Sequence, residues 1–337
     1  MMTEPVSGTE TNATATLEAL PRRLDAYLAA AGITEGVATI DGAPADGARL
    51  VYPGEEVRVN GATIERKERP SKVHAYHKLA GEKIEDIRPA GCDGLSHVGQ
   101  LDKKTTGLLL FTDDFELSRL ILCPGLLPKT YVVEIDAPRV SEGLTDEQLA
   151  ALTEKKPLPQ NATERRKGRN ERGTPVGFES VTLTGSKPIG DATRPAGCAP
   201  KSRFAYEVIV QSGANHVVKR LFHHRAGQAV RTLHRSAVGP VALGDLAAGA
   251  ARALTADEVS ALWTAVGGDG ARAALRRASL LCAARSGADE RLRAFFGAEI
   301  DGSNRCYAAF PGLSCAHDDV AAPAPKRARA TDAALLS

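Results

Sequence analysis

None of the six cysteines (Cys92, Cys123, Cys198, Cys282, Cys306, Cys315) stands in a Cys-x-x-Cys pair, so the sequence offers neither structural-zinc spacing nor a disulfide framework. Scattered thiols of this kind are expected to be reduced, as in a cytosol-like compartment. No apolar run approaches the ~20 residues that a membrane-spanning helix needs. No Lys or Arg precedes Arg22, whereas Glu4 and Glu10 do. That beginning lacks the basic start and apolar core of a secretory signal and the basic character of an organelle transit peptide. The expectation is a monomer that works in the cytoplasm without a membrane, with nucleus and organelle left open.

What is present is enough for a real core. The chain has 337 residues, 43% hydrophobic and 25% charged, which suits two or three units rather than one. The formal net charge is only +2, yet residues 155–172 carry seven Lys or Arg against two Glu. Local charge of one sign points to an anionic partner, although a merely solvated charge run fits the same composition. Residues 1–17 are rich in Thr, Ser and Glu without periodicity, and 316–337 form a loose polar tail; both are expected to be disordered. Helical spacing from Arg23 to Ala31, ended by Gly32, is followed by short strand-like runs at Val37–Ile40, Arg49–Tyr52 and Glu56–Val59. Farther on, short apolar strands alternate with helices: Leu108–Thr112, Asp114–Leu122 with an Asp at its cap, Tyr131–Ile135, Arg203–Gln211 and Ala214–Ala226. This order predicts an α+β domain with a mixed, largely antiparallel sheet and flanking helices. The Pro-, Gly- and charge-rich stretch 155–202 should be mostly loop around one strand at Phe178–Thr184, and two amphipathic runs, Ala271–Arg285 and Asp289–Phe296, suggest a helical extension.

The residue that most needs an explanation is Asp102. It lies in Gly99-Gln100-Leu101-Asp102-Lys103-Lys104-Thr105-Thr106-Gly107, directly before the wholly apolar run Leu108-Leu109-Leu110-Phe111. A carboxylate at the lip of a core either caps its own loop or does chemistry. The string resembles the motif G-R-L-D-x-x-T-x-G-L-L-L-x-T of the RsuA-type RNA pseudouridine synthases. Downstream, Lys129-Thr130-Tyr131 resembles that family's K-T-Y strand, and Gly213-Ala214-Asn215-His216-Val217-Val218-Lys219-Arg220-Leu221-Phe222 resembles its third motif. Leu233-His234-Arg235 through Leu246 completes the pattern, and His77-Lys78-Leu79-Ala80-Gly81 is similar to its N-K-P-A-G entry strand.

The resemblance implies an isomerase that converts a specific uridine of structured RNA to pseudouridine, ribosomal RNA first and transfer RNA second, with no cofactor and no metal. It implies Asp102, Tyr131 and Lys219 as catalytic residues: the carboxylate, an aromatic face for the target base, and the cationic partner of the carboxylate. It further implies Lys78, Gln100, Lys103, Lys104, His216, Arg220 and Arg235 as RNA-binding residues. A single carboxylate could act as a nucleophile toward sugar or base, or remove a sugar proton. The implied layout is a truncated S4-like module at 18–68, a synthase domain with a central cleft at 69–268 carrying the basic insert, and an extension at 269–315. Three positions depart from the family: Gln100 where Arg is usual, and Ala214 and Val217 where Arg and Gln are common. The alternative is an impaired synthase fold kept as an RNA-binding or assembly protein.

Overall fold

The structure is a computed structural model and describes residues 17–66, 70–137, 143–159, 175–189, 201–287, 289–297 and 300. Of the tails expected at 1–17 and 316–337, all but Leu17 lie outside the described residues, as does most of the basic insert. The chain divides into two units, 1–273 and 274–337.

The first unit opens with helix α1 (Leu24–Ala30) and six short strands, β1 (Arg22–Arg23), β2 (Ala38–Ile40), β3 (Ala43–Pro44), β4 (Leu50–Val51), β5 (Val57–Val59) and β6 (Ala62–Thr63). Strands β3-β2-β5-β6 form one small sheet and β1-β4 another. Leu24, Tyr27, Ile40, Val51 and Val57 close a small core between them. Strands β2, β4 and β5 fall within the runs expected from the sequence, whereas β1, β3 and β6 were not expected.

The large sheet comprises β7 (Val73–Lys78), β8 (Ser96–Val98), β9 (Thr106–Thr112), β10 (Lys129–Ala137), β11 (Ser180–Ile189), β12 (Lys201–Val210), β13 (Val230–Val238), β14 (Val241–Ala242) and β15 (Ala251–Ala253). Its order is β11-β12-β10-β13-β9-β7-β15, with β8 beside β9 and β14 beside β13. Every pairing is antiparallel except that of β9 with β13. The expected α+β class with a largely antiparallel sheet is therefore observed. Within 155–202, the described part holds more strand than its composition suggested. Its predicted strand runs on to Ile189 and pairs with β12 from Ser180 onward.

Helices α2 (Phe115–Leu122), α3 (Asp146–Thr153), α4 (Val217–Ala226) and α5 (Ala256–Ala265) flank this sheet, and α6 (Gly268–Arg285) follows. Asp114 caps α2, its carboxylate accepting from the Leu117 N–H at 3.0 Å. The Arg272 guanidinium pairs with Asp114 and, at 3.0 Å, with Glu116, and it lies 4.1 Å from the Trp263 ring centre. One apolar cluster joins α3 and α4 to β10 and β12 through Leu152, Leu221, Phe222, Val133, Phe204 and Val208. A second gathers Tyr76, Ile84, Ile87, Leu101, Leu109 and Phe111. In the second unit, α7 (Glu290–Phe296) is capped by Asp289 through the Leu292 N–H, and the Arg277 guanidinium lies 5.6 Å from the Phe296 ring.

Strand β9 carries the central constraint. Leu108, Leu109, Leu110 and Phe111 are all buried, as a run covered on both faces requires. One edge of β9 pairs with β7 along Gly107–Thr112. The other is shared: His234 and Arg235 of β13 take Thr106 and Gly107, and β8 takes Leu110 to Thr112. Gly107 (φ +106°) makes the β13 contact possible, since a Cβ there would meet the Arg235 carbonyl oxygen at 2.3 Å and its nitrogen at 2.6 Å. Gly107→Ala is expected to destabilise by about 3 kcal/mol or more. A urea unfolding midpoint close to that of the wild type would contradict this.

Lys129 is buried at the start of β10, where its ammonium donates to the carbonyls of Ile121 (3.0 Å) and Leu127 (2.8 Å) and closes the end of α2. Burial, with the nearby Arg235 charge second, pushes its pKa down to about 8. Below that pH the folded chain holds a costly buried charge. Between pH 8 and the ordinary lysine value of 10.5 the unfolded chain binds more protons, so stability rises with pH. In Lys129→Met that rise, about 3 kcal/mol at most, should vanish. Unfolding free energies of both proteins across this window provide the check.

Candidate active site

Asp102 occupies the loop between β8 and β9. Its neighbour Leu101 is driven into the second apolar cluster, and Thr105, which is 1% exposed, returns its N–H to the Asp102 carbonyl at 2.9 Å. The loop is thus anchored at both ends while the Asp102 side chain stays 28% exposed. Gly99 opens it at φ +72°, with Leu122 so close that a Cβ would meet its Cδ2 at 2.7 Å.

The partners of Asp102 come from the start of α4, more than a hundred residues away. Lys219 Nζ donates to Asp102 Oδ2 at 2.5 Å, and His216 Nε2 lies 3.3 Å from Oδ1. His216 and Lys219 stand three residues apart, which aligns them on one face of a helical turn. His216 immediately precedes the helix in a left-handed conformation (φ 52°, ψ 27°) that few non-glycine residues adopt. Such strain is tolerated where surrounding structure imposes it, often at functional sites. Here the buried Val217, Val218, Leu221 and Phe222 dock the helix against the sheet behind it. Val217, one of the three departures, is core rather than a missing polar contact, while Ala214 is exposed.

Tyr131 is half-buried and packs against both apolar clusters. It faces Arg235 across β10–β13, and Arg235 faces Gly107 across β13–β9. The tyrosine backbone therefore lies two strand spacings, ~10 Å, from the start of β9. Gln100, Lys103 and Lys104 are exposed on the Asp102 loop.

Two expected RNA contacts are corrected. Lys78 is fully buried, and its ammonium donates to the carbonyls of Leu79 (2.9 Å), Lys103 (3.3 Å) and Thr105 (3.0 Å). Burial lowers its pKa, opposed by the charges of Glu82 and Asp102. It fastens the Asp102 loop from beneath and offers nothing to a phosphate. Arg235 is 6% exposed, and its Nε donates to the Leu108 carbonyl at 2.7 Å, where the edge of β9 passes from β13 to β8. Arg220 is partly buried and donates to the carbonyls of Asn215 (3.1 Å) and Pro159 (2.5 Å), so it steadies the approach to α4.

Sequence reasoning missed the internal roles of Lys78 and Lys129, because a lysine in a strand looks the same whether its head meets water or carbonyls. It also missed the pairing of His77 with His234, whose rings are 5.5 Å apart. His77 Nδ1 lies 2.8 Å from the Leu246 carbonyl and must be its protonated nitrogen, while His234 Nδ1 lies 2.9 Å from Thr106 Oγ1. Burial first, and His77 second, lower the His234 pKa. Among the described residues, no group of three or more His, Cys, Asp or Glu is arranged to hold a metal, and no helix is long and apolar enough to cross a membrane.

The sheet thus presents a partly exposed carboxylate paired to a helix lysine, and comparison with known proteins shows what the chain is similar to. The family model described as RNA pseudouridylate synthase matches residues 66–224. The ribosomal large subunit pseudouridine synthase B of Xanthomonas axonopodis pv. citri is 26% identical over 72% of this chain and 44% of its own length. The protein of the same name from Xylella fastidiosa (strain Temecula1) is 28% identical over 73% of this chain and 51% of its own. The dual-specificity RNA pseudouridine synthase RluF of Escherichia coli O6:H1 is 26% identical over 70% of this chain and 77% of its own. A solved structure titled as a pseudouridylate synthase aligns at 26% identity and a TM-score of 0.42, over 71% of this chain and 99% of that one. Residues 66–224 thus match the RNA pseudouridine synthase family, and the curated relatives support its RsuA-type branch. It spans about half the length of the synthase B relatives.

Removing the Lys78 ammonium strands two carbonyls of the Asp102 loop, those of Lys103 and Thr105, and that of Leu79. Lys78→Met is expected to destabilise by about 2–5 kcal/mol and to accelerate hydrogen exchange selectively at residues 102–107. Exchange in that segment unchanged from wild type would show that the loop is held by other means; the exposed Lys103→Met serves as the control.

Proposed function

We propose that this protein isomerises a specific uridine of structured RNA, ribosomal RNA in the first instance, to pseudouridine. One observation carries the reading: the Asp102 carboxylate on its exposed loop, held 2.5 Å from Lys219 and 3.3 Å from His216. The reaction breaks the bond between uracil N1 and ribose C1′, turns the base and joins C5 to C1′; C5 loses a proton and N1 gains one. Nothing is oxidised and no atom is lost, so one positioned carboxylate with a shaped pocket is a sufficient catalyst. Asp102 attacks the sugar or base, or removes a sugar proton. Lys219 fixes the carboxylate geometry through a charge-assisted hydrogen bond, and Tyr131 offers its ring to the uracil.

A uridine must leave its stack to be turned, so the enzyme flips it. Exposed Lys103, Lys104 and Gln100, beside Asp102, then hold the flanking backbone. Gln100 contributes hydrogen bonds where family members have charge, which makes phosphate contact at that point weaker. In this reading residues 69–268 form the synthase domain, 18–68 a truncated S4-like remnant, and 155–202 a basic insert that follows phosphates. The protein acts as a cytoplasmic monomer.

The test is tritium release from total RNA labelled at uridine C5. Wild type should turn over, and Asp102→Asn should lose at least about 100-fold in rate while RNA affinity stays within a few-fold. Binding by wild type without any turnover would replace the enzyme with an RNA-binding or assembly protein.

A further inference from the structure

Helix α2 presents an outward stripe that the chemistry above leaves unused. Phe115 is 72% exposed and Leu122 42% exposed, the two most exposed apolar side chains of that helix, and both lie on the face opposite the buried Leu117, Leu120 and Ile121. Arg119 stands between them at helical spacing, its guanidinium 5.6 Å from the Phe115 ring centre. One exposed aromatic is ordinary on a protein surface. What distinguishes this one is where its stripe leads.

Leu122, at the end of the stripe, lies beside the two segments that carry the site. On one side a Cβ at Gly99, three residues before Asp102, would meet Leu122 Cδ2 at 2.7 Å. On the other, a Cβ at Gly213, three residues before His216, would lie 3.8 Å from the Leu122 carbonyl oxygen. The Gly125 N–H, just past the helix, also donates to the Gln211 carbonyl at 3.0 Å. From that junction the stripe runs seven residues along the helix, ~10 Å. That is the reach of about three nucleotides of a strand. Of the three acids at the far end, Asp114 and Glu116 are both paired with Arg272, and Asp113 accepts from the Lys72 N–H at 3.0 Å. The two paired acids add little net repulsion for an anion approaching Phe115 and Arg119.

We infer that the Phe115–Arg119–Leu122 face of α2 is a stacking track for the unpaired nucleotides next to the target uridine. An aromatic ring and a guanidinium plane suit bases of any sequence, and Arg119 adds a phosphate contact. The inference rests on the RNA reading proposed above and extends it to a surface that selects substrates with single-stranded flanks.

The test combines anisotropy binding of a fluorescein-labelled, uridine-containing single-stranded oligoribonucleotide, at several salt concentrations, with tritium release from C5-labelled total RNA. Phe115→Ala should weaken binding about 5- to 100-fold, with Phe115→Trp restoring it and the salt slope unchanged. Arg119→Gln should lower the magnitude of the salt slope by about 0.7. All three variants should melt like wild type, because the altered side chains lie on the exposed face of the helix. The inference alone is overturned if wild type binds and turns over RNA and Phe115→Ala does so equally well. It is also overturned if Phe115→Ala changes only sedimentation, which would make the stripe a protein contact. Wild type that neither binds nor modifies RNA would overturn this inference together with the reading beneath it.

Discussion

A β-strand has two edges, and β9 divides one of them between two partners, β13 at its start and β8 farther along. Because the other edge is taken by β7, the loop joining β8 to β9 has to leave the sheet at that fork. Asp102 is in that loop. The parallel contact that creates the fork tolerates no side chain at residue 107, where the Arg235 backbone comes within a Cβ's reach. The place of the carboxylate thus follows from a backbone constraint, and the side chains around it serve to keep that constraint satisfied.

Irregular backbone inside a core leaves carbonyls without partners, and this chain answers with cations. Lys78, Lys129 and Arg235 are buried, and each directs its charge to main-chain oxygens: of the Asp102 loop, of the end of α2, and of Leu108 at the fork. A multi-donor head on a long apolar stem can reach carbonyls that no strand or helix neighbour can. The same choice raises the cost of burial, visible in the lowered pKa of both lysines. The site itself uses cationic chemistry differently. Lys219 remains 31% exposed and faces a carboxylate, so its charge stays near solvent rather than locked into the scaffold.

Much of the fold was legible from residue pattern. The apolar run of β9, the Asp cap of α2 and the alternation of β10 and β12 are local properties, fixed by periods of two and 3.6 residues and by the chemistry of the first turn. Pattern fell short where the backbone is held by distant partners. Composition allowed 155–202 only a short strand at Phe178–Thr184, yet the strand runs to Ile189 because β12 pairs with it on both sides of a bulge at Leu183/Gly185. Lys78 and Arg235 were expected to face RNA because sequence identifies a charge but not the direction in which it points.

The sequence by itself determined the residue types of the site, the elements that carry them and the motif order that marks the family. The family resemblance implied Lys219 as the partner of Asp102, but only the tertiary structure decided how the two are brought together. Asp102 and Lys219 are 117 residues apart, and no local period relates them. They meet because β9 and β13 run parallel at Gly107 and because the apolar face of α4 docks on the sheet, with His216 and Lys219 turned toward the loop. Such a meeting depends on the summed packing of two clusters and one close backbone approach, a property of the folded chain that no single segment contains.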